Sequence, residues 1–234
     1  MTSPSKFGHY PVRPRAGECS ASFTILCNAH DAASSFLDAF ESLRKNRNAK
    51  GTPTDEEQDL LRATVIFSSS GLDALAKQLV KDALPRVIDN MEGAEKMLKS
   101  HVERRLRRGD KEAHQLLADV MVDRDPRGTL VSTLVYDLTS GSLQSYEELV
   151  KVASHFDIPS REIVDDVDSL RSVFAARNQI IHEMDVDLAQ VNRNRRPRKK
   201  KDMVGATNSI FAVSQKLLNA VDARIGASSL EHRG

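Results

Sequence analysis

Apolar residues recur every three to four positions over most of this chain, and that spacing constrains its fold more than any other feature. One row spans about Ser22 to Arg47, and another spans about Met203 to Ile225. The first row contains Phe23, Leu26, Cys27, Phe36, Leu37, Phe40 and Leu43. Because a period near 3.6 places such residues on one face of an α-helix, the spacing predicts an all-α protein.

Start and stop signals divide this helical pattern into separate elements. Thr54-Asp-Glu-Glu57 and Ser145-Tyr-Glu-Glu148 have the spacing of capping boxes, which predicts helix starts at both places. The helix after Thr54 is predicted to reach Leu84, where Pro85 ends or kinks it. Inside it, Ser68-Ser69-Ser70-Gly71 favours a tight helix crossing, with a polar patch near a substrate as the alternative.

The middle of the chain is highly charged. Residues 92–122 predict one or two short helices around a break at Gly109-Asp110. Arg104, Arg105, Arg107 and Arg108 cluster there and form either a solvated face or a face that contacts RNA. The β-branched residues of Leu130–Leu138 allow either a strand or a helix.

Length and composition predict one large domain with extensions at both ends. The chain has 234 residues, of which 40% are hydrophobic, which is enough for a core. Prolines and glycines in residues 1–20 predict a flexible, extended N-terminal arm. Residues 21–225 are predicted to form a single helical domain, and residues 226–234 a frayed C-terminal tail.

The sequence also predicts where the protein resides. It has no apolar run near the roughly 18 residues that a membrane span needs, nor the apolar stretch of about 7–15 residues found in signal peptides. We therefore expect a cytoplasmic protein with no membrane partner. The two cysteines, Cys19 and Cys27, are too few for a disulfide framework and are expected to be reduced thiols.

Positive charge is concentrated in one loop although the net charge is only +1. The predicted basic loop spans residues 192–202, includes Pro197 and follows an acidic segment, Glu162–Asp187. Its seven cations are Arg193, Arg195, Arg196, Arg198, Lys199, Lys200 and Lys201. Such a run attracts a phosphate backbone, so we predict RNA contact, with a solvated loop or an import-type signal as alternatives.

The helix before this loop carries the residues best suited to chemistry. It is predicted over about 159–184, with Pro159 in its first turn. Its inward row of Ile163, Val167, Leu170 and Phe174 continues to Arg177. A guanidinium at such a position must find a partner, extend to water or lie in a polar cleft.

Arg177, Asn178 and His182 are the candidate catalytic residues. Asn178 and His182 are four residues apart and share a helix face, and Arg177 lies beside that face. Arginine carries a permanent charge and five donors suited to a phosphate, and histidine moves a proton near neutral pH. The alternative is structural, with Arg177 paired to an acidic neighbour and His182 capping the helix.

Arg177-Asn178-Gln179-Ile180-Ile181-His182 resembles the Arg-x4-His signature of HEPN domains, and the resemblance extends over about residues 163–187. It implies a HEPN-like α-helical bundle, here with extra helices and the N-terminal arm. It also implies a metal-independent endoribonuclease without a cofactor, which dimerises to build a composite active site. Such proteins act as toxins or in phage defence, which implies an antitoxin or defence-system partner.

The resemblance also implies roles for the three residues. His182 would act as general base on a ribose 2′-OH or as general acid on the departing 5′-oxygen. Arg177 would stabilise charge on the phosphoryl oxygens, and Asn178 would orient His182 or bond the phosphate. Members silenced by nucleotidylation carry a Tyr two residues after the His, where this chain has Met184.

Other chemistries fit the sequence less well. His182-Glu183 begins like a zinc-protease motif, but Val186 stands where the second histidine is needed. Asp165, Asp166 and Asp168 form an acidic face suited to a helix N-terminus, with a magnesium site as the alternative. A non-catalytic helical module that binds RNA or a partner protein, as an antitoxin does, is the alternative from another functional class.

Overall fold

The computed structural model describes residues 7–8, 11–48, 50–143 and 145–231, with side chains described as far as residue 226. The helices are α1 (Ser20–Asn46), α2 (Asp55–Asp82), α3 (Leu84–Asn90), α4 (Glu92–Leu106), α5 (Lys111–Val122), α6 (Pro126–Thr139), α7 (Tyr146–His155), α8 (Ser160–Ile163), α9 (Val167–Glu183) and α10 (Lys200–Glu231). The prediction of an all-α protein is confirmed, and α6 resolves the ambiguous segment as a helix. None of the helices formed by the described residues is long and apolar enough to span a bilayer.

A bundle of α1, α2 and α10 forms the centre, with α2 packed extensively against both of the others. Gly71 lies where α2 crosses α1, and a Cβ placed there would come within 2.3 Å of the Ala29 Cβ. The predicted tight crossing is therefore correct, because only a glycine fits. Between α2 and α10, the hydroxyls of Thr64 and Thr207 bond at 3.0 Å in the core. Ser69 donates to a carbonyl of its own helix instead of forming a polar patch.

The predicted capping signals define several helix ends. Thr54 and Glu57 form the reciprocal capping box at the start of α2. Ser145 accepts a hydrogen bond from the Glu148 amide at the start of α7. The helix after Thr54 ends at Asp82, slightly earlier than predicted, and Pro85 lies in the first turn of α3. The expected break at Gly109-Asp110 separates α4 from α5.

The single helix predicted over 159–184 is wrong, because the chain forms α8 and then α9 with an extended turn between them. Val164 and Asp166 both adopt extended backbone conformations there. The Asp166 carboxylate accepts the Ser169 amide at 2.9 Å and so caps a new helix. Ile163 is still buried, but it belongs to α8 and is not part of the inward row of α9.

The described part of the predicted flexible arm is bound to α10. Asn208, Gln215 and Asp222 are seven residues apart, which places them on one face of that helix. Their side-chain oxygens accept hydrogen bonds from the backbone amides of Gly8, Val12 and Ala16, at 2.9, 2.7 and 2.6 Å respectively. The prediction treated the prolines of the arm as a sign of freedom and missed this row of acceptors.

Phe7 anchors the start of the same arm. It is 1% exposed and lies against His30 and Phe211, with ring centroids 5.9 and 5.6 Å away. Residues 17–20, also placed in the arm, form a short 3-10 turn and the first residue of α1. Residues 1–6, 9 and 10 lie outside the described residues.

The C-terminal helix is longer at both ends than predicted. It begins at Lys200, within the expected basic loop, and its backbone continues to Glu231, through most of the expected tail. Residues 232–234 lie outside the described residues. The basic loop therefore ends at Lys199, and Lys200 and Lys201 are helical.

Both cysteines are unpaired, as predicted. Cys19 is completely buried at the start of α1, and Cys27 lies half-buried within that helix. Burial, with nearby carboxylates, raises the pKa of Cys19 to about 12, so it is a neutral thiol at pH 7.

Candidate active site

The end of α9 carries the three candidate catalytic residues. Leu170, Val173, Phe174 and Ile180 bury one face of this helix. Arg177 continues that face between Phe174 and Ile180, and it is only half-buried. The predicted inward position of the arginine is therefore correct, and its guanidinium lies at the margin between core and solvent.

Arg177 forms no ion pair with any described residue. Its Nη1 donates to the Asn178 Oδ1 at 2.9 Å, and its Nε is buried without a hydrogen-bond partner among the described atoms. An unsatisfied buried donor is costly, and no described group of the protein offsets that cost at Arg177. Asn178, expected to orient His182 or bond a phosphate, here holds the guanidinium of Arg177.

His182 lies one turn beyond Asn178 and is exposed. In the described part of the chain its ring has no hydrogen bond or ion pair. The helix end is closed instead by Met184, which adopts a left-handed conformation with φ of 50° and donates its amide to the Gln179 carbonyl. The described structure therefore does not support the alternative in which His182 caps the helix.

A buried carboxylate, Asp185, fixes the chain directly after this helix. It is 0% exposed, and it accepts hydrogen bonds from Arg62 Nε at 2.7 Å and from Arg198 Nε at 2.8 Å. Arg198 also donates to the Gln179 side chain at 3.0 Å, within the motif itself. We call Asp185, Arg62 and Arg198 the Asp185 cluster. It connects α2, the end of α9 and the loop that leads into α10.

The charged groups of the Asp185 cluster are paired with one another and with neighbouring groups of the same protein. Arg62 is 2% exposed, and its other nitrogens donate to Asp59 at 3.0 Å and to the Arg196 carbonyl at 2.8 Å. Burial opposes ionisation of Asp185, but hydrogen bonds and charge from Arg198 and Arg62 hold its pKa below the ordinary value. Asp185 is therefore an anion at neutral pH, and the cluster is a buried salt bridge.

Most of the basic loop is paired with carboxylates of the same protein. Arg195 bonds Asp59 at 3.1 Å, and Arg196 bonds Glu183 at 2.9 Å. Lys200, in α10, bonds Glu41 at 2.7 Å. With Arg198 in the cluster, four of the seven cations predicted to contact RNA have internal partners. Arg196 and Arg195 also close the loop, through a bond to the Val186 carbonyl and a backbone bridge to Val186.

The other three predicted RNA contacts are exposed. They are Arg193, Lys199 and Lys201. Among the described residues, none of them has an ion-pair partner. Two of these cations lie in the loop and Lys201 lies in the first turn of α10, while Arg195, Arg196 and Arg198 hold the loop against α2 and α9.

The acidic trio has structural roles that fit the prediction of an acidic helix start. Asp166 caps α9, and Asp168 lies in its first turn, where a carboxylate is favourable. Asp165 pairs with Lys216 of α10.

Sequence reasoning missed the Asp185 cluster. One signal was present, since Arg62 interrupts a buried face of α2 between Leu61 and Val65. A buried cation needs a carboxylate, and within one helical turn of Arg62 the sequence offers only Asp59, which is 52% exposed and is not the buried partner. The partner is 123 positions away, so only the fold brings the two together.

Comparison with known protein families, with curated proteins and with solved structures finds no match to this chain.

We predict that Asp185→Asn destabilises the protein strongly. The change removes the buried anion that Arg62 shares with the partly buried Arg198, and breaking comparable buried pairs costs about 3–5 kcal/mol. Chemical denaturation followed by circular dichroism measures the free energy of unfolding. Asp119→Asn, the same change at an exposed aspartate of α5 without an ion-pair partner among the described residues, is the control and should cost under about 0.5 kcal/mol.

The pH dependence of the two proteins gives an independent check. Because folding lowers the pKa of Asp185, its contribution is present above the ordinary value of 3.8 and is lost as the pH falls through the lowered pKa. The wild-type protein should therefore lose its advantage over Asp185→Asn in that acidic range. An advantage unchanged by acid, or a variant as stable as wild type, would contradict the role of the cluster.

Proposed function

We propose that this protein is a metal-independent endoribonuclease of the HEPN type, with its active site at the end of α9. The observation that carries the proposal is a contrast in how the polar groups are used. Arg62, Arg195, Arg196 and Arg198 all bond carboxylates. Arg177 keeps a buried Nε without a partner and His182 an exposed imidazole, beside three exposed cations.

The proposed reaction is an internal transesterification of RNA. His182 removes the proton of a ribose 2′-OH, and the 2′-oxygen attacks the adjacent phosphorus. The bond from phosphorus to the 5′-oxygen breaks, and an acid returns a proton to that oxygen. The products are a 2′,3′-cyclic phosphate and a 5′-hydroxyl, so no metal, oxidant or cofactor is consumed. DNA lacks the 2′-OH and is not a substrate.

Arg177 is assigned to the phosphoryl oxygens. A guanidinium at the edge of the core is only partly hydrated, so its charge is more effective there than in bulk water. The bond from Nη1 to Asn178 fixes its orientation, which makes Asn178 a positioning residue in this proposal. The Nε, buried and unpartnered among the described atoms, donates to the phosphate after the guanidinium turns outward.

Two protons must move in this reaction, and each chain offers one histidine at this place. We therefore propose a homodimer whose α9 ends meet, so that the two His182 side chains act as base and acid. The loop beside the site exposes apolar side chains that a second copy would cover. Met184, Leu188 and Val191 are 68%, 64% and 99% exposed.

The biological setting follows from the same proposal. An RNA-cleaving enzyme of this type is a toxin or anti-phage effector in the cytoplasm, restrained by an antitoxin or another defence-system protein. The alternative function, a non-catalytic RNA-binding or antitoxin-like module, predicts binding without cleavage and is decided by the first experiment below.

We predict that purified protein cleaves total RNA in EDTA and that His182→Ala does not. Removing a general acid or base costs about a hundredfold or more in rate. Arg177→Ala should lose activity to a similar degree, because it removes charge stabilisation in the transition state. Sequencing of the RNA ends, with and without enzymatic removal of cyclic phosphate, measures both the rate and the chemistry.

His114→Ala is the matched control, since His114 is also an exposed helical histidine without a partner among the described residues. It should cleave like wild type, and all three variants should stay folded. Binding of RNA without cleavage by any of them would favour the non-catalytic module. Cleavage that needs a divalent metal would contradict the mechanism.

The three exposed cations among the seven predicted RNA contacts give a second prediction. Arg193→Gln, Lys199→Gln and Lys201→Gln together should weaken RNA binding and flatten its dependence on salt. Each lost contact with a single strand lowers the slope of log affinity against log salt by about 0.7, or roughly 2 in total. Fluorescence anisotropy with a labelled RNA and the His182→Ala protein measures binding without cleavage.

The control for this experiment removes the same charge elsewhere. Lys99→Gln, Lys111→Gln and Arg124→Gln change three exposed cations of the α4–α5 region. An equal loss of affinity in both triple variants would mean that only net charge matters. An unchanged salt slope in the Arg193, Lys199 and Lys201 variant would show that these residues do not contact RNA.

A further inference from the structure

A second cationic site lies between α4, α6 and α7, lined by residues other than those of the proposed active site. It is a cleft of about 400 Å³. Arg104 and Arg105 line it from α4, Arg108 from the turn after α4, and Lys151 from α7. These arginines belong to the sequence cluster that has two interpretations, a solvated face or a face that contacts RNA. The size is within the usual range of small-molecule sites.

Four cations line the cleft, and one of them, Arg105, pairs with its carboxylates. Arg105 pairs with Asp137 and lies 3.6 Å from Glu112. Asp137 is also 3.1 Å from His101 Nε2. Burial lowers the pKa of His101 although Asp137 opposes this, so the imidazole is neutral at pH 7 and adds no charge.

Three cations of the cleft therefore have no countercharge. Arg104, Arg108 and Lys151 form no ion pair with any described residue, although they line the same space. Arg105 supplies a further unsatisfied donor, because its Nε is buried without a hydrogen-bond partner among the described atoms. Cations that repel each other across one cleft favour an anion between them.

The surroundings of the cations indicate which kind of anion fits. Tyr136, on the rim, is 69% exposed and offers a ring on which a base can stack. An adjoining cavity of about 70 Å³ shares Asp137, Leu138 and Lys151 with the cleft. Its apolar lining includes Ala76, Val80, Leu143 and Val152. Phosphate-binding cations beside an aromatic ring and an apolar recess suit a nucleotide better than a bare anion.

We propose that the cleft between α4, α6 and α7 binds a phosphorylated nucleoside, with its phosphates on Arg104, Arg108 and Lys151 and its base against Tyr136. The same chemistry is present in a free nucleotide and in an RNA strand. This site is independent of the proposed ribonuclease activity, since none of its residues lies on α9 or in the loop after it.

Isothermal titration calorimetry on the 234-residue chain with the His182→Ala change tests the site without RNA cleavage. The probes are ATP, inorganic triphosphate, adenosine and a single-stranded RNA hexamer. We expect ATP to bind once per chain and more tightly than adenosine. Arg104→Gln, Arg108→Gln and Lys151→Gln together should weaken ATP binding by about tenfold or more. Tyr136→Ala should weaken ATP but leave triphosphate unchanged.

The control is Arg107→Gln, Lys111→Gln and Arg124→Gln, which removes three exposed cations that do not line the cleft. It should bind ATP like the parent protein. Binding of the RNA hexamer alone, with the same dependence on the cleft cations, would identify an RNA strand as the source of the nucleotide. No binding of any probe at millimolar concentration, or equal losses in both triple variants, would overturn the proposal.

Whether the protein cleaves RNA does not affect these outcomes. Failure of the active site would appear as wild-type protein that binds ATP but leaves RNA intact. Failure of the cleft would appear as active enzyme whose cleft variants bind and cleave like wild type. The two proposals are therefore separable with one set of proteins.

Discussion

The buried Asp185 carboxylate is the interaction on which the geometry at the end of α9 depends. It is 0% exposed, and two arginines, one from α2 and one from the loop before α10, donate hydrogen bonds to it. Separating such a pair leaves a charge in the core, so the three segments stay together or the site is lost. Met184 and Asp185 adopt left-handed conformations, with φ of 50° and 59°, at the turn that leaves α9.

Pairing with carboxylates also divides the cations of this molecule. The chain has 34 lysines and arginines, and those around the motif fall into two groups. Arg62, Arg195, Arg196 and Arg198 use their charge to hold the loop against α2 and α9. Arg177 and the three exposed cations of the loop region have no such duty, so their charge is available to a phosphate. A cluster of cations in a sequence therefore predicts RNA contact best for those cations that have no carboxylate partner within the protein.

Local patterns predicted the helices well because helix formation depends on nearby residues. The capping box at Thr54, the break at Gly109 and the inward position of Arg177 all depend on residues within a few positions of one another. Two errors arose where a distant partner decides the outcome, since the arm lies on acceptors about 200 residues away and Asp185 pairs with Arg62 across 123 positions. A third error was local, because Asp166 caps a new helix through the Ser169 amide where the apolar row appeared continuous. The motif was visible in sequence, but the groups that hold it were not.

The most direct test of the proposed chemistry uses one atom of the substrate. At a cleavage site mapped with the wild-type protein, an RNA oligonucleotide is synthesised with a single 2′-deoxyribose at the nucleotide whose 2′-oxygen is the proposed nucleophile. Cleavage is then measured in EDTA beside the all-ribose oligonucleotide. The account predicts that cleavage at this bond is abolished while binding is retained, because the attacking atom is missing. Cleavage of the substituted bond at an unchanged rate would contradict it.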